Sequence, residues 1–237
     1  HPDIPIIATG GPTDESIRAT IDAGANAITW TPPSNGEIFK SIKTELSPDT
    51  LVCCVVKANA YGHNAPRVAQ ALSEAGADWF AVSNIEEAIE LRGMGIDRPI
   101  LILGYTPPEC ADILSSHNIS QCVYSKEYAD QLSSCAVENN CRVNIHIKLD
   151  TGMHRLGFDP LRDMPALIER LKHQTALVPR SIFSHFVGSD SDDFDRFSAE
   201  QYRRFLHGAD ILQSAFSHHI LRHMCNSAGI EHFPERQ

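Results

Sequence analysis

No apolar run in the chain approaches the roughly 20 residues that a membrane-spanning helix requires, and no basic stretch followed by an apolar, small-residue stretch opens it. A soluble, cytoplasmic protein is expected. Basic side chains are also in short supply: 20 Lys and Arg face 30 Asp and Glu, a net charge of -10. Such a surface repels nucleic acid and anionic lipid, so neither is an expected partner. Cysteines at metal-site spacing are missing as well. The seven present, Cys53, Cys54, Cys110, Cys122, Cys135, Cys141 and Cys225, are odd in number and sit largely in apolar stretches. They read as buried thiols, and no metal is expected. No low-complexity linker divides the 237 residues, so one structural domain with one large core is expected.

What the chain does have is alternation. Short β-branched runs alternate with amphipathic stretches along the whole length, the pattern of βαβ units around a parallel sheet. The strand candidates are Ile4-Ala8, Ala27-Trp30, Leu51-Val56, Trp79-Val82, Ile100-Leu103, Gln121-Tyr124, Val143-Leu149, Ser181-Phe186 and Ile220-Cys225. Helix starts are marked by Ser34 with Glu37, Asn84 with Glu87 and Thr106 with Glu109, each a capping acceptor three residues before a carboxylate. Pro107 is placed at a first helical position. Pairs such as Ile17 and Ile21, Ile38 and Ile42, or Val68 and Leu72 give each helix an apolar stripe, and Gly24, Gly76 and Gly95 supply cheap endings. The acidic, serine-rich stretch 188–197 reads as a surface loop. The expected architecture is α/β, a (β/α)8 TIM-type barrel, with a doubly wound open sheet as the rival. Nine candidates do not fit eight places, so one is misassigned or lies outside the barrel.

Several polar residues fall at or just past strand carboxyl ends, where barrel active sites form: Lys57, Arg155, His185 and the pair Asn226 and Ser227. A lysine leaving an apolar strand has surroundings that favour its neutral amine, which can attack an aldehyde. Taken singly, each has a plainer reading: Lys57 as a solvated charge, His185 as a satisfied interior histidine, Ser227 as a helix cap, Arg155 as a surface ion-pair partner, Tyr61 as an aromatic reaching water.

The run from Val55 through Lys57, Ala58, Asn59, Ala60, Tyr61 and Gly62 to His63 resembles the cofactor-lysine signature of alanine racemases. The likeness continues through Asp78 to Val82, the PILILG run that carries Leu103, the KLDTGMHRLG run from Lys148 to Gly157, Phe183 to Phe186, and Asn226 to Gly229. It covers about residues 47–235. The resemblance implies a pyridoxal 5'-phosphate-dependent isomerase that interconverts L- and D-alanine through a Schiff base on Lys57. By the same resemblance, Tyr61 and Ser227 contact the phosphate, Arg155 faces the ring hydroxyl, and His185 lines the ring. Leu103 and Asn226 complete the cofactor-binding set, Lys57, Arg155 and His185 the catalytic one. Lys148 matches a lysine that some racemases carbamylate.

The chain departs from that family at both ends. It stops at Gln237, before the strand that closes a racemase barrel and before the C-terminal β domain whose tyrosine serves the opposite face of the substrate. Residues 1–46 read as a βαβα unit similar to the closing quarter of another phosphate-handling barrel. Gly10 and Gly11 stand before a helix start, where backbone N–H groups suit a phosphate and a plain turn is the simpler reading. The expectation is a permuted or chimeric barrel in which residues 1–46 supply the missing closure, with residues 47–237 as the racemase-like part. Two other readings stand beside the racemase: a non-catalytic pyridoxal-phosphate-binding barrel, and a recombined or designed scaffold without activity. A monomer or weak self-association is expected.

Overall fold

The computed structural model describes residues 7–9, 27–29, 39–40, 42–44, 46–233 and 236. Nine strands form within them, one at each apolar run: β1 (Ile7–Thr9), β2 (Ala27–Thr29), β3 (Cys53–Val55), β4 (Trp79–Val82), β5 (Ile100–Ile102), β6 (Ile119–Val123), β7 (Val143–Lys148), β8 (Leu177–Phe183) and β9 (Leu221–His223). None of the nine candidates is misassigned. Seven of them, β3 to β9, form one parallel sheet whose spatial order is the chain order, while β1 and β2 pair with each other in a second parallel sheet. A doubly wound sheet reverses strand order at a switch point. Monotonic order excludes it.

The sheet must also curl. Trp79 on β4 and His146 on β7 are three strands apart, about 14 Å in a flat sheet at about 4.8 Å per strand, yet their ring centroids are 5.1 Å apart. The inner face accordingly holds its own apolar cluster, in which Ala81, Leu101, Cys122 and Phe183 from four strands meet, with Leu103 packed against them. The larger core lies on the outer face, between sheet and helices. This is the (β/α)8-type barrel.

The crossover helices are α1 (Ala65–Ala75), α2 (Ile85–Gly93), α3 (Ala111–Ser116), α4 (Lys126–Glu138), α5 (Met164–His173) and α6 (Asp195–Ala215), followed by α7 (Ser227–His232). Asn64, Asn84, Ser125 and Asn226 cap α1, α2, α4 and α7 with side-chain oxygens. Gly76 closes α1 in a left-handed conformation at φ 101°, and Val68 and Leu72 pack on the core. Arg92, near the end of α2, donates to four backbone carbonyls, those of Ile96, Arg98, His117 and Asn118. It ties the amino-terminal ends of β5 and β6 together.

Three expectations are corrected. Thr106 does not cap a helix: Pro107 is extended at ψ 131° and the short 3-10 turn begins at Pro108. Thr106 instead offers its carbonyl to Tyr128 Oη at 2.8 Å. The stretch 188–197 is not all loop. It contains a 3-10 turn at Asp192–Phe194 and the first turn of α6, whose buried stripe begins at Ser198 and Gln201. Of the seven thiols, none of which is in a disulfide, only Cys122 is buried and the rest are partly exposed. Expectations for Ile4, Gly10, Gly11, Ile17, Ile21, Gly24, Ser34, Glu37 and Ile38 lie outside the described residues.

Candidate active site

Strand β3 ends in an unusual turn. The Val56 N–H donates to Ala81 O at 2.8 Å, extending the ladder by one bond. After Lys57 the chain takes four consecutive left-handed non-glycine residues, Ala58, Asn59, Ala60 and Tyr61, with φ of 52°, 54°, 52° and 53°. That conformation costs roughly 1–2 kcal/mol per residue for an L-amino acid with a Cβ. Neighbours offset the cost: Ala60 N–H donates to Val56 O at 2.8 Å, Gly62 N–H to Ala58 O at 3.0 Å, and the Asn59 side chain accepts from Ala65 N–H at 2.8 Å. Lys57, half-buried, therefore leaves the strand on a rigid left-handed hairpin of backbone.

Across the barrel mouth, β7 ends in Lys148. Its side chain is buried, donates from Nζ to Leu149 O at 3.0 Å and lies 5.2 Å over the Phe183 ring. Burial, aided by the Arg155 guanidinium, holds its pKa down to about 8. The loop that carries Arg155 is pinned at both ends. Asp150 accepts from Gly152 and His154 N–H, both at 3.0 Å. At Gly157, φ 125°, a Cβ would meet Asp150 N at 2.7 Å, so only glycine fits.

His185 follows β8 by two residues. Burial lowers its pKa, and the charges of Lys148, Arg155 and Lys57 lower it further. That dependence brings the four residues into one electrostatic neighbourhood: a neutral imidazole among three cations. Its backbone is fixed by Gln201 of α6, fully buried, which donates to His185 O at 3.2 Å and accepts from Val187 N–H at 3.1 Å. Below it, Ser184 and Thr151 hydroxyls bond at 2.8 Å.

Deeper in the barrel, Ser181 Oγ bridges His146 Nδ1 at 2.6 Å and His223 Nε2 at 3.0 Å, and His223 stacks on Phe183 with centroids 4.7 Å apart. Burial pushes both histidines down, His223 to about 4. Sequence reasoning missed this row, and also Gln201 and Thr151. Alternation along β7, β8 and β9 holds the signal: His146 pairs with Ser181, and His223 lies two residues further along β9, opposite Phe183.

The remaining expected residues are placed as follows. Leu103 lies at the end of β5 on the inner apolar cluster. Tyr61 is 62% exposed. Asn226, not Ser227, caps α7, accepting from Gly229 N–H at 2.8 Å and Ser189 Oγ at 2.6 Å. Ser227 is the exposed first helical residue. Among the described residues no hydrogen bond links Tyr61 or Ser227 to the Lys57 group.

Fold and site together define a barrel protein of enzyme type, with an amine nucleophile and a cluster of cations converging on one mouth, suited to an anionic ligand bearing a carbonyl carbon. More narrowly, the chain belongs to the family described as alanine racemase, N-terminal domain, whose model matches residues 38–237. It is 38% identical over 197 residues to the alanine racemase of Desulfovibrio desulfuricans, a match covering 83% of this chain and 53% of that one. Among solved structures, alanine racemase from Bacillus anthracis with bound L-Ala-P superposes with TM-score 0.76 at 30% identity, over 82% of this chain and 50% of that one. A histidine racemase from Leuconostoc mesenteroides subsp. sake gives TM-score 0.73 at 27% identity, over 86% and 53%. The chain spans about half the length of the curated relatives it matches.

The family's cofactor is pyridoxal 5'-phosphate, and the donor set suits it: a half-buried primary amine for the carbonyl carbon, cations for phosphate and ring oxygen, a neutral imidazole and an apolar wall.

Proposed function

We propose that this chain is the barrel part of a pyridoxal-phosphate-dependent amino-acid racemase acting on alanine. The observation that carries the reading is the placement of Lys57, Lys148 and His185 at or just past the carboxyl ends of β3, β7 and β8, with the charges of Lys148, Arg155 and Lys57 adding to burial in lowering the His185 pKa. When bound, the cofactor supplies an electron sink for the pair left by the departing α-proton. The rest falls to side chains of the chain. Lys57 would hold the cofactor through its Nζ, and its free amine would take or return the α-proton on one face of the substrate. His185, neutral, lines the ring without competing for that proton. Arg155 would serve the ring oxygen as a cation that donates without giving up its proton. Tyr61 and Ser227 hydroxyls would donate to phosphate oxygens, and Leu103 and Asn226 would complete the pocket.

Lys148 fits carbamylation: only a neutral amine adds CO2, and a pKa of about 8 supplies one near neutral pH. The product is an anion beside Arg155, where the free lysine is a cation.

Racemisation needs acid–base groups on both faces of the substrate. Lys57 serves one, and we assign the other to the remaining half of a protein of the relatives' length. We further propose a cytoplasmic protein, monomeric or weakly self-associating as this chain, with a small amino acid as its partner; among the described residues no helix is long and apolar enough to cross a membrane. We assign residues 1–46, whose described part includes the paired strands β1 and β2, to the open side between β3 and β9, each of which has one partner among the described strands.

The test is exchange of the L-alanine α-proton in deuterated water with added pyridoxal phosphate, followed by NMR. Exchange that is lost in Lys57→Ala supports the racemase reading. Bound cofactor without exchange would make the chain a carrier.

A further inference from the structure

We infer that Glu87 is a positioning residue for Lys57, a reading that rests on Lys57 being the cofactor lysine. The parallel ladder between β3 and β4 runs as far as the Val56 N–H bond to Ala81 O. Its next two rungs would join Ser83 N–H to Val56 O and Ala58 N–H to Ser83 O, but those carbonyls are taken by Ala60 N–H at 2.8 Å and Gly104 N–H at 3.1 Å. Glu87 supplies both acceptors instead. Its Oε1 accepts from Ala58 N–H at 2.6 Å and its Oε2 from Ser83 N–H at 2.7 Å, so one carboxylate spans the carboxyl ends of both strands.

The place of that bond in the chain gives it its effect. Ala58 is the first of the four left-handed residues and follows Lys57 directly. Fixing its N–H fixes the peptide plane between them, hence the Lys57 backbone and the direction in which the side chain leaves it. A plain helix-capping role does not account for the carboxylate. The sequence pattern suggests a reciprocal box between Asn84 and Glu87, but only half forms: Asn84 Oδ1 accepts from Glu87 N–H at 3.0 Å, while the Glu87 carboxylate reaches past the helix to the Lys57 turn.

Glutamine cannot replace it. An amide has one acceptor oxygen and would set its NH2 against the second N–H. The experiment compares wild type, Glu87→Gln, the neighbouring control Glu86→Gln, and Glu87→Gln with Ala58→Gly, because glycine takes the left-handed conformation without a carboxylate to hold it. Two quantities are read: the initial rate of borohydride-trapped pyridoxal phosphate at Lys57, located by peptide mass, and the hydrogen exchange of the Ala58 amide without cofactor.

Glu87→Gln is expected to slow trapping by about ten- to hundredfold, the worth of one lost hydrogen bond to a charged group, and to unprotect the Ala58 amide. Glu86→Gln should change neither, and Ala58→Gly should restore trapping. Wild-type trapping in Glu87→Gln, or a loss that Ala58→Gly does not relieve, overturns the inference. If wild type itself fails to trap at Lys57, the cofactor reading falls, and the amide exchange still decides: an Ala58 amide equally protected in Glu87→Gln overturns the Glu87 role as well.

Discussion

Lys148 carries the sharpest conflict between charge and surroundings in the described part of the barrel, being a buried amine with one carbonyl acceptor and an aromatic face. Its folded pKa is about 8, against an ordinary lysine value of 10.5. Between those values the unfolded chain binds more protons than the folded one, so stability rises with pH across that window, and below pH 8 the full penalty is present. Lys148→Met keeps the stem and removes the charge. It is expected to raise stability at pH 7 by roughly 1–3 kcal/mol, net of the unpaired Leu149 carbonyl, with the gain shrinking toward pH 10.5. Urea unfolding of the two proteins at several pH values checks this. A gain independent of pH would mean that packing rather than charge is the cause, and a mass increase of one CO2 on wild type would report the carbamylated form directly. The polar residues at strand ends were legible because a charged side chain directly after an apolar run breaks the pattern, as Lys57 does. Gln201 and Thr151 were not, since a buried polar group announces itself only through partners that the fold brings from far along the chain.

At the scale of elements, the arginine near the end of α2 gives the clearest expectation. Arg92 uses three nitrogens to hold four carbonyls from two separate loops. Lysine keeps the charge but has no planar fork to span them, so Arg92→Lys is expected to cost about 2–4 kcal/mol, since each bond from a charged donor is worth roughly 1.5–3 kcal/mol and lysine retains part of the set. Denaturant midpoints measure it, and a change below about 0.5 kcal/mol, the range of an ordinary surface substitution, would show the bonds to be incidental. The strands themselves could be read from β-branched runs, but β8 shows the limit of that signal. The apolar pattern marks it from Ser181, whereas pairing starts at Leu177, because Pro179 and exposed Arg180 interrupt the run. The sheet accommodates them by a register shift opposite Ile145 and His146, leaving Arg180 unpaired. The start of α6 was hidden for a related reason: its first buried positions are Ser198 and Gln201, which carry no hydrophobic signature.

For the whole molecule, chain-order strands and the curl demonstrated by Trp79 and His146 make the barrel class secure, whereas the βα alternation alone left a doubly wound sheet as its rival. Closure was not legible in the sequence, because pairing between distant ends leaves no local trace in composition. If residues 1–46 cover the side between β3 and β9, their deletion should expose apolar surface and lower the melting temperature by several degrees, as a loss of about 1 kcal/mol or more does in a domain of this size. An unchanged melting curve would place them off the barrel.

The central claim is that Lys57 is the residue that holds the cofactor, and one measurement tests it most directly. The purified chain is mixed with pyridoxal phosphate, reduced with borohydride and digested, and the modified peptide is identified by mass. A single adduct on Lys57, with a matching absorbance change on reduction, is the expected result. Label spread over surface lysines such as Lys40 and Lys172, or absent altogether, would contradict it.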